Sequence, residues 1–159
     1  MWAALGENLE QMPVLERTRL KLLEAFVLAA SRRSKGPKHL ATGRRGELAA
    51  YFYLRRHGYI ITARGWRSAH LRGDIDLIGW DGDTLCFIEV KTRTTRDVAT
   101  AEAAVDEDKR RTLRRLARHY LRQLPQKDLS TRFDVLAIYF EKDKKAEYEL
   151  FRGAFNDVI

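Results

Sequence analysis

The chain has 159 residues, 45% of them hydrophobic and 33% charged, with a formal net charge of +8 and an isoelectric point of about 9.8. That length predicts one domain with an appended segment, and the lack of any long uncharged apolar run argues against a transmembrane helix or a secretory signal peptide. The positive excess points to nucleic acid or another polyanion as partner, while a single cysteine, Cys86, allows no disulfide within the chain and fits a reducing cytoplasm.

In chain order, residues 1–40 read as a helical leader and residues 41–159 as the main domain. Leu15, Leu22, Leu23, Phe26, Val27 and Ala30 recur at helical spacing and predict a helix over 14–31. A basic loop over 32–38, broken by Gly36-Pro37, follows it. The second helix is predicted over 42–57 and ends at Gly58. A strand over 59–64 leads to a loop over 66–72 that carries Arg67, His70 and Arg72. Two apolar strands come next, around 73–78 and 87–91, joined by the turn Asp81-Gly82-Asp83. A polar loop over 92–99 precedes a long helix over 105–124, which Pro125 closes. Strands over 133–140 and 148–151, with a turn at 142–145 between them, complete the order. Strands interleaved with long helices predict an α/β sandwich around a mixed sheet.

The two apolar strands carry the chemistry. A strand rich in Ile, Leu, Val and Phe should not hold charges on an inner face, because burying an unpaired charge is expensive. Yet Asp76 lies in Gly73-Asp74-Ile75-Asp76-Leu77-Ile78, and Glu89 and Lys91 lie in Phe87-Ile88-Glu89-Val90-Lys91. Alternation puts Leu85, Phe87, Glu89 and Lys91 on one face and Cys86, Ile88 and Val90 on the other. A hairpin turning about Gly82-Asp83 sets Asp76 opposite Glu89, at a separation suited to two carboxylates sharing one cation. A slip of two residues sets Asp74 opposite Glu89 instead, and the turn alone leaves both registers open. Hard oxygen ligands call for Mg²⁺ or Mn²⁺, and a cation held by carboxylates beside a lysine is suited to phosphodiester hydrolysis. The competing reading of the three side chains is a structural salt bridge between strands.

The long helix divides into two faces. Leu113, Leu116, Ala117, Tyr120, Leu121 and Leu124 should pack on the sheet. Asp106, Glu107 and Asp108 favour its positive end. Lys109, Arg110, Arg111, Arg114, Arg115, Arg118 and Arg122 fill the remainder, either as a solvated face or as contacts for a phosphate backbone. Glu47, early in the second helix, is either a first-turn carboxylate favoured by the dipole or a completing residue of the charged site. Arg93 could reach a scissile phosphate. The four histidines lack ligand spacing, Trp66 and Trp80 read as core, and Asp134 reads as the partner of an arginine.

Glu47, Asp76 and Glu89-x-Lys91 in this order match the PD-(D/E)xK signature of the restriction-endonuclease-like fold. The set Gly43-x-x-Gly46-Glu47, Gly73-Asp74-Ile75-Asp76-Leu77-Ile78, Phe87-Ile88-Glu89-Val90-Lys91-Thr92-Arg93, Lys109, Arg132-Phe133-Asp134-Val135 and Ala154-Phe155-Asn156 resembles the YraN family, also known as UPF0102. That family is similar to archaeal Holliday-junction resolvases. The resemblance implies that Asp76, Glu89 and the Val90 carbonyl are metal ligands, that Lys91 sits beside the attacking water, and that Glu47 is an accessory ligand or base. Asp74 stands where the family usually has Glu, and the first 40 residues form a longer leader than the family normally has.

The expected activity is metal-dependent endonucleolytic cleavage of branched or structured DNA. The alternative is a nucleic-acid-binding module of the same fold without catalysis, with Arg93, Lys109, Arg110, Arg114 and Arg118 as backbone contacts in either case. A third reading makes the leader helix a docking element of an adaptor. Its apolar stripe needs a partner surface, with a homodimer as the favoured one.

Overall fold

A computed structural model of the chain describes residues 38–94, 105–126 and 128–155, together with Thr18, Leu22 and Ala25. Those three residues are helical and exposed. The rest of residues 1–37, most of the polar loop after Arg93, and Asn156 lie outside the described residues.

Helix α1 (Lys38–Arg56) precedes strands β1 (Ile60–Trp66), β2 (Ile75–Asp81) and β3 (Thr84–Arg93). Helix α2 (Glu107–Arg122) then leads to β4 (Ser130–Tyr139) and β5 (Glu147–Phe151). The strands form one sheet in the order β1-β2-β3-β4-β5. All neighbours are antiparallel except β3 and β4, which run parallel. A parallel neighbour needs a crossover, and α2 is carried on that crossover.

The two helices cover opposite faces, and strand alternation dictates which residues each one meets. Leu85, Phe87, Phe133, Val135 and Ala137 bury against Leu113, Leu116 and Ala117 of α2. Cys86, Ile88, Leu136 and Ile138 bury against Ala49, Ala50 and Leu54 of α1. The predicted apolar stripe of α2 is thus its buried side, with Tyr120, Leu121 and Leu124 half-buried at the margin. Trp66 packs edge-on to Tyr120 with ring centroids 5.3 Å apart, as its reading as a core residue requires.

Several ends differ from the sequence expectation. Helix α1 begins at Lys38 rather than 42. It ends where expected, because Gly58 takes a left-handed φ of 86°. The Tyr59 N–H then returns to the Leu54 carbonyl at 3.0 Å and the Gly58 N–H to Arg55 at 3.4 Å, which closes the helix with a Schellman motif. β1 runs on through Trp66, whose ring gains burial on α2. β3 runs on through Thr92 and Arg93, because a full ladder with β4 pairs them with Ile138 and Tyr139. Polar residues enter a strand when a neighbour satisfies their backbone groups.

At the hairpin end of the sheet, Asp134 is fully buried and every hydrogen bond it makes is to a strong donor. It accepts from Arg132 Nε at 2.8 Å, from the Tyr59 hydroxyl at 3.2 Å and from the Gly153 N–H at 3.0 Å. Arg132 also reaches Asp81 at 2.6 Å. The arginine expected for Asp134 therefore comes from its own strand, two residues away, and not from the basic helix. Truncation of Asp134 to alanine would strand the Gly153 N–H and half of the Arg132 guanidinium. It should cost about 2–4 kcal/mol, read as a urea midpoint lowered by about 1–2 M with an unchanged slope. A midpoint within experimental error of the wild type would remove this network from the fold's stability.

Candidate active site

β2 and β3 hold the register set by a turn about Gly82-Asp83: Asp81 faces Thr84, Ile78 faces Phe87 and Leu77 faces Ile88. The slipped register with Asp74 opposite Glu89 is excluded. The ladder stops at Leu77 and Ile88, one residue short of Asp76 and Glu89. There the Asp76 carboxylate replaces the backbone partner, and its Oδ2 accepts the Val90 N–H at 2.7 Å. β2 meanwhile continues along β1, with Trp66 facing Ile75. The two strands thus part where the charged residues begin.

Glu89 is buried, at 4% exposure, and two ammonium groups hold it. Lys91 Nζ lies 2.9 Å from Oε1. Lys109 Nζ lies 3.0 Å from Oε2, an ion pair too oblique for an aligned hydrogen bond. Lys109 also stands 3.9 Å from Asp74 Oδ1, whose other oxygen pairs with Arg67 at 3.1 Å. Burial works against the Lys109 charge, but Glu89, Asp76 and Asp74 outweigh it and raise its pKa above the ordinary lysine value.

Asp76 carries the reverse imbalance. Burial, then the neighbouring Glu89 charge, push its carboxyl up to about 7, against the pull of the Val90 N–H and Lys109. Glu47 of α1 adds to the upward push, so its charge is felt at the cluster. Gly46 explains how α1 comes so close. A Cβ there would sit 2.0 Å from Thr92 Oγ1, so a side chain could not occupy the place where α1 crosses the end of β3.

Among the described residues, no group of three or more His, Cys, Asp or Glu side chains forms a metal-binding cluster. The oxygens that could hold a divalent cation are the carboxylates of Asp76 and Glu89 and the Val90 carbonyl. The last projects from the same side of the strand as the Val90 N–H. All are hard donors, and a cation would offset both the burial and the Glu89 repulsion that raise Asp76.

The basic residues of α2 do not form one row. Lys109, expected on the outer face, belongs to the charged cluster. Arg110 donates to the Val105 carbonyl at 2.9 Å and its guanidinium lies 5.4 Å from the Phe155 ring centre. Arg114 pairs with Glu107 at 2.8 Å. Arg111 lies within 4 Å of both Glu107 and Asp108, so the first-turn acids neutralise more of this helix than their position suggested. Arg115 and Arg118 are exposed, and Arg93 is half-buried at the end of β3. A sequence signal for Lys109 exists. Positions 109, 113, 116 and 120 follow i, i+4, i+7 and i+11, which puts Lys109 on the buried face. The Asp106 side chain caps α2 through the Lys109 N–H at 2.8 Å, fixing the turn from which that side chain projects.

The Asp76 shift has a sign that can be tested. A carboxyl raised in the folded state favours its neutral form. Its contribution to stability is full below about 3.8 and is lost as pH rises through about 7. Asp76→Asn stays neutral and can still accept the Val90 N–H. In buffer free of divalent cations it should exceed the wild type at pH 8 by on the order of 2 kcal/mol, a gain of about 4–8 °C in Tm, and the gap should close near pH 4. A variant that melts lower than the wild type at pH 8 would contradict the buried repulsion.

Comparison with known proteins follows the same residues. A family model described as "Uncharacterised protein family UPF0102" matches residues 46–138, a span that holds Glu47, Asp76, Glu89, Lys91 and Lys109. A UPF0102 protein of Koribacter versatilis (strain Ellin345) is 51% identical over 144 residues, covering 91% of this chain and 96% of its own. A UPF0102 protein of Solibacter usitatus (strain Ellin6076) is 42% identical over 113 residues, covering 71% and 84%. One of Chlorobium limicola is 45% identical over 96 residues, covering 60% and 73%. At 91% coverage the Koribacter match runs into residues 1–40, so the leader is not peculiar to this chain. The chain belongs to the UPF0102 family.

Proposed function

We propose that this protein is a divalent-metal-dependent endonuclease of the restriction-endonuclease-like fold, acting in the cytoplasm on branched or structured DNA. One observation carries the reading. Asp76 and Glu89 are forced together at the parted end of β2 and β3, where Asp76 is raised to about 7 and Lys91 stands 2.9 Å from Glu89. A purely structural pair would place a cation on each carboxylate. Here both ammonium groups stand at ion-pair distance from Glu89, while the hydrogen bond that Asp76 accepts comes from a backbone N–H.

Asp76, Glu89 and the Val90 carbonyl would hold Mg²⁺ or Mn²⁺. When bound, such an ion lowers the pKa of water and offsets charge building on the phosphate. Lys91, poised on Glu89 Oε1, orients the attacking water and stabilises the developing negative charge. Glu47 borders the site as an accessory base. The phosphate backbone would be met by the exposed Arg115 and Arg118 and by Arg93, as the net charge of +8 suits. The interleaved pairing of Arg114 with Glu107 and the placement of Arg110 against Phe155 make those two secondary contacts.

A second reading has its own support. Lys91 and Lys109 together neutralise both oxygens of Glu89, as in a nucleic-acid-binding module that holds DNA without cutting it. A cleavage assay with Mg²⁺ or Mn²⁺ on junction, flap, single-stranded and linear DNA separates the two. The endonuclease reading expects cleavage of at least one branched substrate, with Asp76→Ala and Lys91→Ala each at least about 100-fold slower. Binding without cleavage of any substrate would select the second reading. In either case Arg115→Ala with Arg118→Ala should reduce the slope of log affinity against log salt by about 0.9 for each phosphate that the two arginines had neutralised. An unchanged slope would move the binding face away from α2.

A further inference from the structure

Lys109 occupies a position that neither the catalytic motif nor the basic face of α2 explains. Lys91 is local to its carboxylate, two residues along the same strand, and follows Glu89 wherever β3 goes. Lys109 arrives from a different element, and its ammonium meets the other oxygen, Oε2, at 3.0 Å. Its side chain is 26% exposed, so it is partly open to solvent. It also has a second carboxylate within reach, Asp74 Oδ1 at 3.9 Å.

A divalent cation taken by Glu89 Oε2 would meet this ammonium at ion-pair distance, and like charges at that range repel strongly in a half-buried site. A phosphate oxygen arriving at the cleft attracts the same ammonium. The two events therefore favour each other: phosphate draws Lys109 from Glu89, and the freed oxygen accepts the cation. We propose that Lys109 couples metal binding to phosphate binding, so that the cation is held weakly by the free protein and tightly by its DNA complex. This rests on the metal-dependent reading above. Lys109 acts here as a positioning residue, through Glu89. Linkage makes the coupling reciprocal, so that the metal must tighten DNA by the factor by which DNA tightens the metal.

The test uses Ca²⁺, a hard cation for oxygen sites, and reads affinities without relying on cleavage. Calorimetry gives the Ca²⁺ affinity of the free full-length protein. Fluorescence anisotropy gives the affinity for a labelled four-way junction in EDTA and in saturating Ca²⁺, with a gel to verify that the DNA stays intact. Free Lys109→Gln should bind Ca²⁺ about tenfold more tightly than the wild type, and Lys109→Arg should resemble the wild type. The gain in junction affinity on adding Ca²⁺ should be at least about fivefold smaller in Lys109→Gln than in the wild type. Lys142→Gln, in an exposed turn, removes the same charge and should change neither quantity. If Lys109→Gln melts well below the wild type, Lys109→Met, similar in length and uncharged, carries the same readout.

A Ca²⁺ affinity of Lys109→Gln equal to or weaker than that of the wild type overturns the coupling, as does an equal shift in Lys142→Gln. A wild type that binds both Ca²⁺ and the junction, each without regard to the other, overturns the coupling and leaves the endonuclease reading standing. A wild type that binds no Ca²⁺ at all removes the metal-dependent reading, and this inference with it.

Discussion

The structure depends on a conflict that its sheet does not resolve internally. Two carboxylates, Asp76 and Glu89, are brought to the same edge of a buried hairpin, and the ladder between their strands ends just before them. Continuing the ladder by one step would pair the two acids directly across the strands. Ending it allows the Asp76 carboxylate to take over the Val90 N–H. Burial and the Glu89 charge still hold that carboxyl above its ordinary pKa, against the pull of the Val90 N–H. Strain of this kind persists when the rest of the fold over-determines it, and perturbed carboxyls of this kind cluster at functional sites.

The two ends of the sheet treat buried charge in opposite ways. At the turn end, Asp134 is fully buried and fully satisfied: an arginine, a tyrosine hydroxyl and a backbone N–H supply every bond it needs. Nothing there asks for a ligand, and the neighbouring Cys86 thiol is pushed up to about 12 by burial and by Asp134, so it is an inert core group. At the parted end, the charges are shared unevenly between Glu89 and Asp76. Both ensembles are rich in acids, and they differ in how evenly their cations are shared. The comparison is sharpened by position, since Ile88 pairs with Asp134 while its neighbour Glu89 pairs with Val135 and turns its side chain to the two lysines. One strand register serves both.

Much of this was legible in the sequence, for reasons that differ by residue. The period-two pattern of β3 identified the Glu89 and Lys91 face, because alternation in a buried strand leaves no freedom. Gly58 marked the end of α1, because only glycine enters the left-handed region there without strain. The register needed coordinates, since a one-turn hairpin and its slipped neighbour bury equivalent side chains. Strand ends at Trp66, Thr92 and Arg93 escaped because their polar or aromatic side chains say little about backbone partners, which lie far away in sequence. The split of the α2 cations escaped for a different reason. Charge type suggested one solvated face, whereas helical phase already placed Lys109 with Leu113 and Leu116.

That phase has a consequence for how the site is assembled. Asp76 and Glu89 are joined by a short hairpin, so their approach is local in sequence. Lys109 can reach them only after α2 has docked and the long-range β3–β4 pairing has formed. Before that closure the acidic pair has Lys91 alone, and the carboxylates repel one another with a single cation between them. Docking of α2 therefore does more than bury Leu113, Leu116 and Ala117. It delivers the second ammonium through a turn fixed by the Asp106 cap, and so ties the electrostatic balance of the cleft to completion of the sheet.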